Sequence, residues 1–489
     1  MAILAIDAGT TGVTAIAVNE LGEIVARGYS EFPQHFPSPG WVEHDVEEIW
    51  QATLKAVRTV IDAIGVSELT ALGITNQRET VLIWDKKTFQ GPRRGIVWQD
   101  RRTANIVDEL RNENLEPLIK NHTGLGLDPY FSSTKFTWLS RNETEIWQGV
   151  LDGKYAVGTV DTYLVARLTA GEVFVTDASN ASRTQLLELK TGKWSEDLGE
   201  IFRVPTNLLA NVVDSFGVIQ NTEPSSFHGL NIPIAGIAGD QQAALFGQTA
   251  FNIGESKCTY GTGSFILYNT GNEYKISDQG LLTTIAWREP DGNITYALEG
   301  AVFVTGAAVQ WLRDGLGIIK SASDIEALAS SVESTDGVVF VPALSGLGAP
   351  YWDPNARGSI TGITRGTTSA HISRATLEAI AFQVKDVVDA MARDINKPLA
   401  QLRVDGGASA NNLLMQLQAD SLQVPVVRGK TLETTALGAA FLAGLGTGVW
   451  KDKNELRSTV QKDREFTPNP NSNLDYAQWQ SAVQRTLSN

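Results

Sequence analysis

Two full and opposite charges stand side by side in the stretch LGITNQRETVLIWD, Leu72 to Asp85. Arg78 and Glu79 lie between two apolar, β-type runs, where a strand should be leaving a core. A neutral turn would cost less desolvation. Taken alone, the pair reads as a solvated hairpin tip. A second loaded stretch is IPIAGIAGDQQAALFG. Its apolar strand breaks at Gly239 and presents Asp240, Gln241 and Gln242 ahead of an Ala-rich run. Asp240 is either a helix N-cap or a general base aimed into a cleft.

Three Gly-rich turns follow apolar strands directly: AIDAGTTG, TYGTGS and VDGGASANN. Glycine lets backbone approach a phosphate, successive N–H groups make an anion nest, and Thr and Ser add donors. One such turn means little, because Gly-Thr turns join hairpins everywhere; three in one chain point to phosphate. Asp7 closes the first of these strands. A carboxylate beside an anion-binding turn fits a divalent cation held between them, or else an Asx-turn acceptor. The commoner phosphate motifs are missing. RGKT, Arg428 to Thr431, has Val424 where a P-loop needs its first Gly, and GLGLDP has Pro129 where G-x-G-x-x-G needs its last.

The elements that must carry these residues fall into two similar halves. ILAID, VTAIAV and EIVARGYS read as strands separated by turns. HDVEEIWQATLKAVRTVIDAIG reads as a helix, with Asp45 and Glu48 as a capping box and Gly65 as its end. Near the middle, SKCTYGTGSFILYNTG repeats the strand–turn–strand pattern, and TTIAW and ITYALEG extend that sheet. Helices are expected over about 302–315 and 369–393. LRVDGGASANN, VPVVRG and TTALGAAFLAGLG then read as strand, strand and small-residue helix. The expectation is α/β, two related halves with mixed sheets around a central cleft, residues 1–248 and 249–489.

The chain has 489 residues, of which 42% are hydrophobic and 19% charged, enough apolar content for packed cores and too little charge for disorder. Its net charge of -15 disfavours nucleic acid and anionic membranes as partners. With one cysteine, Cys258, no intrachain disulfide is available. Cys258 is expected to be buried, and the five histidines lack metal-ligand spacing. The N-terminus lacks a basic leader pattern, and no apolar run is long enough for a membrane span. A cytoplasmic protein is expected, and homo-oligomerisation is compatible with the sequence without being specified by it.

These residues together resemble the FGGY family of carbohydrate kinases, nearly end to end. YFSSTKFTWL, Tyr130 to Leu139, is similar to one family signature, and GSITGITRGTTSAHISRATLE, Gly358 to Glu378, to the other. GWVEHD, NQRET, WQDRRT, DPYFSSTK, GDQQAAL, YGTGSF and EGAVFVTGAAVQWLRD resemble the branch of that family that phosphorylates glycerol to sn-glycerol 3-phosphate. The resemblance implies an actin-like pair of ribonuclease-H-type domains with ATP and substrate in the cleft. It implies Arg78 and Glu79 as ligands of glycerol hydroxyls, since each hydroxyl both donates and accepts while the pair offers donors and acceptors. Trp98 and Phe265 would wall the carbon chain and Tyr130 would add a hydroxyl. Asp240, with Gln241 beside it, would take the proton from the attacking hydroxyl.

On the nucleotide side the resemblance implies Thr10, Thr11 and Gly12 at the first phosphate turn and Thr262 and Gly263 at the second. Gly306, Gln310, Gly407 and Asn411 would hold the nucleotide, and Asp7 and Asp240 would neighbour Mg2+. Many members of that branch read DQGTTSSRA at the first turn, whereas this chain reads DAGTTGVTA, with Gly12 for a serine and Thr14 for an arginine. Some members are inhibited by fructose 1,6-bisphosphate through a Gly-rich loop ending in arginine. The corresponding stretch here, NTEPSSFHGLN, has neither Lys nor Arg, so no such inhibition is expected. The rival readings are an FGGY kinase for a larger polyol or pentulose, and a non-catalytic regulator on the same fold.

Overall fold

The computed structural model describes residues 1–488. Two large sheets organise the chain. The first holds β1 (Ala2–Ala8), β2 (Gly12–Asn19), β3 (Ile24–Glu31), β4 (Leu69–Asn76), β5 (Phe216–Asn221) and β6 (Pro233–Gly239), in the order β5-β6-β4-β1-β2-β3. The second holds β7 (Glu255–Tyr260), β8 (Ser264–Gly271), β9 (Leu282–Arg288), β10 (Ile294–Val302), β11 (Gln401–Asp405), β12 (Val426–Gly429) and β13 (Lys462–Phe466), in the order β9-β10-β8-β7-β11-β12-β13. In each, an antiparallel meander joins two strands parallel to its first member. These are β1 with β4 and β6, and β7 with β11 and β12. The duplicated pattern in the sequence is therefore a duplicated sheet, with β9 as an addition at one edge.

The central strands bury both faces. β2 reads GVTAIAVN with only its last residue not fully buried, as expected for a strand covered on both sides. One cover is α1 (Val46–Ile64). Asp45 caps it, accepting from Glu47 N at 2.8 Å, but Glu48 does not close a capping box; its Oε2 meets His35 Nε2 at 2.8 Å. The expectation of a box fails because a ring nitrogen lies within reach of the same carboxylate.

The halves are bound by an exchange of helices. α2 (Asp240–Gly247) leaves the first sheet and packs on β8 and β9 of the second. After α3 (Gly306–Asp314), α4 (Ser369–Ile395) and α5 (Asn412–Leu422), α6 (Thr434–Gly446) leaves the second sheet and packs on β1, β4 and β6 of the first. Ile3, Ala5, Ala71, Leu267, Trp287, Phe246 and Phe441 share one core across the junction. α6 is rich in Ala and Gly because it crosses α2 almost backbone to backbone. A Cβ on Gly438 would come within 1.8 Å of Ala243 O. The C-terminal ends of β1, β4 and β6 thereby lie side by side, and Lys257 of β7 reaches Gln241 at the start of α2.

Candidate active site

The stretch NQRET is built as a scaffold around two working side chains. Asn76, the last residue of β4, exchanges amide hydrogen bonds with Asn180 at 3.1 and 3.2 Å. Gln77 donates its backbone N–H to Ala8 O at 3.0 Å and its side-chain amide to Gly9 O at 3.1 Å, tying the stretch to the first Gly-rich turn. Thr80 donates to Gln77 Oε1 at 2.8 Å and accepts from Trp98 N at 3.2 Å. Between them Arg78 and Glu79 are 2% and 1% exposed, so the pair is not a solvated hairpin tip.

Arg78 spends its fork inside the protein. Nη1 and Nη2 donate to the two oxygens of Glu299 at 2.7 and 3.0 Å, and Nη2 also reaches Tyr130 Oη at 3.1 Å. Nε lies 3.2 Å from Asp240 Oδ1 and 3.5 Å from Glu79 Oε1. Its chain passes over Gly239, where a Cβ would meet Arg78 Cδ at 2.7 Å; this is why a glycine precedes Asp240. Glu79 Oε1 accepts from Arg183 Nε at 2.7 Å, and Arg183 Nη2 donates to Glu299 Oε1 at 3.2 Å. Burial alone would raise the Glu299 carboxyl, but Arg183 and Arg78 hold it down at about 2.

Asp240 is the first residue of α2, with Gly239 as the cap, and its Oδ1 accepts from Gln241 N at 2.7 Å. Its side chain keeps 30% of its surface exposed, unlike the charges behind it. Burial raises its carboxyl above the ordinary range, Arg78 pulls it down, and Glu79 pushes it up. A partly accessible carboxylate of raised basicity suits proton abstraction. Gln241 Oε1 accepts from Lys257 Nζ, which also donates to Thr259 Oγ1 at 2.9 Å. Gln242 turns inward, accepting from Arg78 Nη1 at 3.3 Å and donating to Thr284 Oγ1 at 3.0 Å.

An aromatic wall joins this centre to the phosphate turn. Trp98 meets Tyr130 edge to face at 5.5 Å and donates Nε1–H to Thr10 Oγ1 at 2.9 Å. Tyr130 is held from below by Lys135, whose Nζ donates to the carbonyls of Pro129, Tyr130 and Phe131 at 2.7, 2.6 and 3.0 Å. Phe265 lies on β8, in register with Thr259 and Ala301 of the second sheet. Its side chain is half-buried and does not stack on Trp98 or Tyr130, so any part it takes in a polyol pocket is from the second sheet.

Thr11 is exposed at the tip of the first turn, and Gly9 N donates to Gly12 O at 3.0 Å. Gly12 has no room for a side chain: a Cβ would meet Tyr29 Oη at 2.7 Å and Ser30 O at 2.8 Å. The departure at Gly12 thus goes with a tyrosine hydroxyl occupying the space, and Tyr29 is the register partner of Thr14. In the second turn Thr262 O accepts from Thr305 N at 2.9 Å and Ala307 N at 3.1 Å, and Gly306 N donates to Gly261 O at 3.0 Å, which seats the start of α3 against Gly261 and Thr262. Gln310 is exposed on α3, Gly407 is exposed after β11, and Asn411 caps α5 by accepting from Leu414 N at 2.9 Å.

Asp7 ends β1. Burial, then the charges of Asp240 and Glu433, raise its carboxyl to about 8. Asp240 has Arg78 beside it and Glu433 is paired with Arg27 at 2.7 Å, whereas Asp7 makes no ion pair among the described residues; a carboxylate so placed beside a phosphate-type turn fits a divalent cation. Among the described residues no group of three or more His, Cys, Asp or Glu side chains forms a metal site, so phosphate and water oxygens would have to complete the shell. Likewise, no helix there is long and apolar enough to cross a membrane.

Sequence reasoning missed Arg183, Glu299, Lys257 and Lys135. For Glu299, Lys257 and Lys135 a full charge lies inside an apolar or small-residue strand or helix, as in ITYALEGAV and SKCTY, whereas Arg183 lies in a polar turn and carries no such mark. Such a charge is the signal that singled out Arg78 and Glu79.

The model of the N-terminal domain of the FGGY family of carbohydrate kinases matches residues 2–247, and that of the C-terminal domain matches residues 256–447. The chain is 53% identical over 466 residues to a glycerol kinase of Bdellovibrio bacteriovorus, covering 95% of this chain and 94% of the relative. It is 50% identical over 488 residues to a glycerol kinase of Saccharolobus islandicus, covering 99% of this chain and 96% of the relative. The crystal structure of Plasmodium falciparum glycerol kinase with ADP superposes with a TM-score of 0.93 at 36% identity, covering 100% of this chain and 98% of that one.

Proposed function

Because the chain belongs to the FGGY family of carbohydrate kinases, we propose that it transfers the γ-phosphoryl group of ATP to glycerol, giving sn-glycerol 3-phosphate. Relatives of about this length at 50–53% identity carry that activity in their names. The observation that carries the reading is the placement of Asp240. It is the partly exposed carboxylate of a charge cluster whose other members are buried, and it opens α2 close enough to Asp7, just ahead of the first Gly-rich turn, for its charge to raise that carboxyl.

In this reading Trp98 and Tyr130 bound a small polyol pocket, and Arg78 and Glu79 supply its charged floor. Asp240 orients the attacking hydroxyl and takes its proton, with the Gln241 amide beside it. The Gly and Thr turns at 9–12 and 261–263 donate N–H groups to phosphate oxygens as charge moves. Gly306, Gln310, Gly407 and Asn411 line the nucleotide side. Asp7 and Asp240 would hold Mg2+, which neutralises phosphate charge when bound. The division at residue 248 belongs to this proposal too, with polyol groups before it and most nucleotide groups after it.

A coupled ADP-release assay with ATP, Mg2+ and a panel of polyols and pentuloses tests it. Glycerol should be the preferred acceptor. ADP release that glycerol does not stimulate, or a marked preference for a pentulose, would overturn it.

A further inference from the structure

Four ionised side chains meet between the sheets, and one of them comes from the far side. Arg78, Glu79 and Arg183 belong to the first half of the chain, whereas Glu299 stands on β10 of the second sheet. Both guanidiniums converge on it and share one oxygen, Oε1, at 3.0 Å from Arg78 and 3.2 Å from Arg183. All four side chains are 2% exposed or less. Arg183 lies 5.8 Å from the ring of Tyr130, and its Nη1 is buried without a partner among the described residues. Remove the carboxylate, and two like charges face each other in a space closed to water, with Glu79 as the remaining fully buried anion.

We propose that Glu299 is a positioning residue for the polyol pocket, reaching across from the second sheet to fix the guanidiniums of Arg78 and Arg183 at the pocket floor. The inference rests on the proposed polyol reading. Without Glu299 both guanidiniums lose their shared counter-ion and with it the geometry in which Arg78 faces Asp240 and Tyr130. Polyol affinity, more than nucleotide affinity, should therefore depend on Glu299.

The test is steady-state kinetics of full-length variants. Glu299→Gln keeps the shape and removes the charge. It should raise KM for glycerol about 30-fold or more, with KM for ATP within about threefold, because truncating one member of a buried ion pair strands the others. Glu299→Asp, which restores the charge on a shorter arm, should recover part of the loss. A residue needed only for packing would lower thermal stability and weaken both substrates alike. Glycerol KM within threefold of wild type in Glu299→Gln overturns the inference. If that variant does not fold, Arg183→Lys carries the same expectation and the same overturning result. If none of the three folds, the network is a folding requirement and the proposal fails. A wild type active on a different polyol is tested by the same ratio on that polyol. A wild type inactive on every polyol overturns the proposed function, and this inference with it.

Discussion

Glu299 is a buried and Glu378 a partly buried glutamate of the second domain, and their carboxyls move in opposite directions. Glu299 sits where the two sheets meet, between Arg183 and Arg78, and is held at about 2. Glu378 sits on α4, at the edge of a cavity of about 400 Å3 lined by residues 333–340 and 469–479. It is reached by Arg374 Nε at 3.1 Å, and burial lifts it to about 7. Arg374 is shared, since its Nη1 also donates to Val332 O at 2.9 Å. Burial penalises both carboxylates. Two guanidiniums outweigh the penalty and one does not. An ionised group thus persists inside this protein where compensating charge is assembled around it, and the cleft is where that has been done.

The cleft side of the comparison is best broken at Asp240, the cluster member left partly open. Asp240→Asn removes the base while keeping the side chain's shape. Turnover should fall by about 100-fold or more, the usual cost of losing a general base, while nucleotide binding survives. A variant keeping over half of wild-type kcat would remove Asp240 from the reaction.

Next come the buried charges themselves. Arg78→Ala and Glu79→Ala each strand their partners, a loss of roughly 2–5 kcal/mol in kcat/KM for glycerol. The effect on ATP should be much smaller. Equal losses for the two substrates, together with a lowered melting temperature, would make the pair a fold element and erase the contrast with Glu378.

Much of this contrast can be read along the chain, for reasons that differ by residue. The duplicated strand–turn–strand pattern survives in DAGTT and YGTGS because a strand that must turn tightly beside phosphate has few residue choices. Arg78 and Glu79 stand out because full charges interrupt an apolar run. That they meet Arg183 and Glu299 cannot be read, because these lie 105 and 221 residues from Arg78, and spacing carries no information about which strand end meets which. Glu48 shows the same limit nearby. A local rule assigns it to the Asp45 cap, and a residue from another segment, His35, claims it. Phe265 is assigned to the polyol wall by resemblance alone, since its place on the second sheet, beside Thr259 and Ala301, cannot be read from spacing.

The α4 side predicts a smaller, pH-dependent effect. A glutamate raised from its ordinary value to about 7 in the folded state keeps its proton there at pH values where the unfolded chain has lost it. The stabilisation is fully present below the unfolded value and is lost as pH rises through about 7. Glu378→Gln mimics the protonated form and can still accept from Arg374. Its stability should match wild type near pH 4.5 and exceed it by about 1–3 kcal/mol near pH 8.5. Denaturant melts at the two pH values would show the gap opening. A gap of opposite sign would mean that Arg374 alone holds Glu378 ionised.

The smallest effect is expected at the loop Asn221–Asn231, where the same rule applies to a ligand. A sugar bisphosphate brings about three to four negative charges, and an anion site needs compensating cations or a dense nest of N–H groups. The loop carries Glu223 and His228 and no Lys or Arg. His228 is committed through Nε2 to Leu54 O at 2.9 Å, and Phe227 is fully buried. The arginine whose carbonyl Ser226 contacts, Arg167, lies 3.2 Å from Glu47 and stacks over Trp50. No guanidinium pair of the kind that holds Glu299 is assembled there. Fructose 1,6-bisphosphate at millimolar concentration should therefore leave the activity unchanged in an assay at fixed free Mg2+. A saturable loss of more than half the activity would show that a bisphosphate is bound without the compensation that the cleft requires, and the rule drawn from the two glutamates would not extend to ligands.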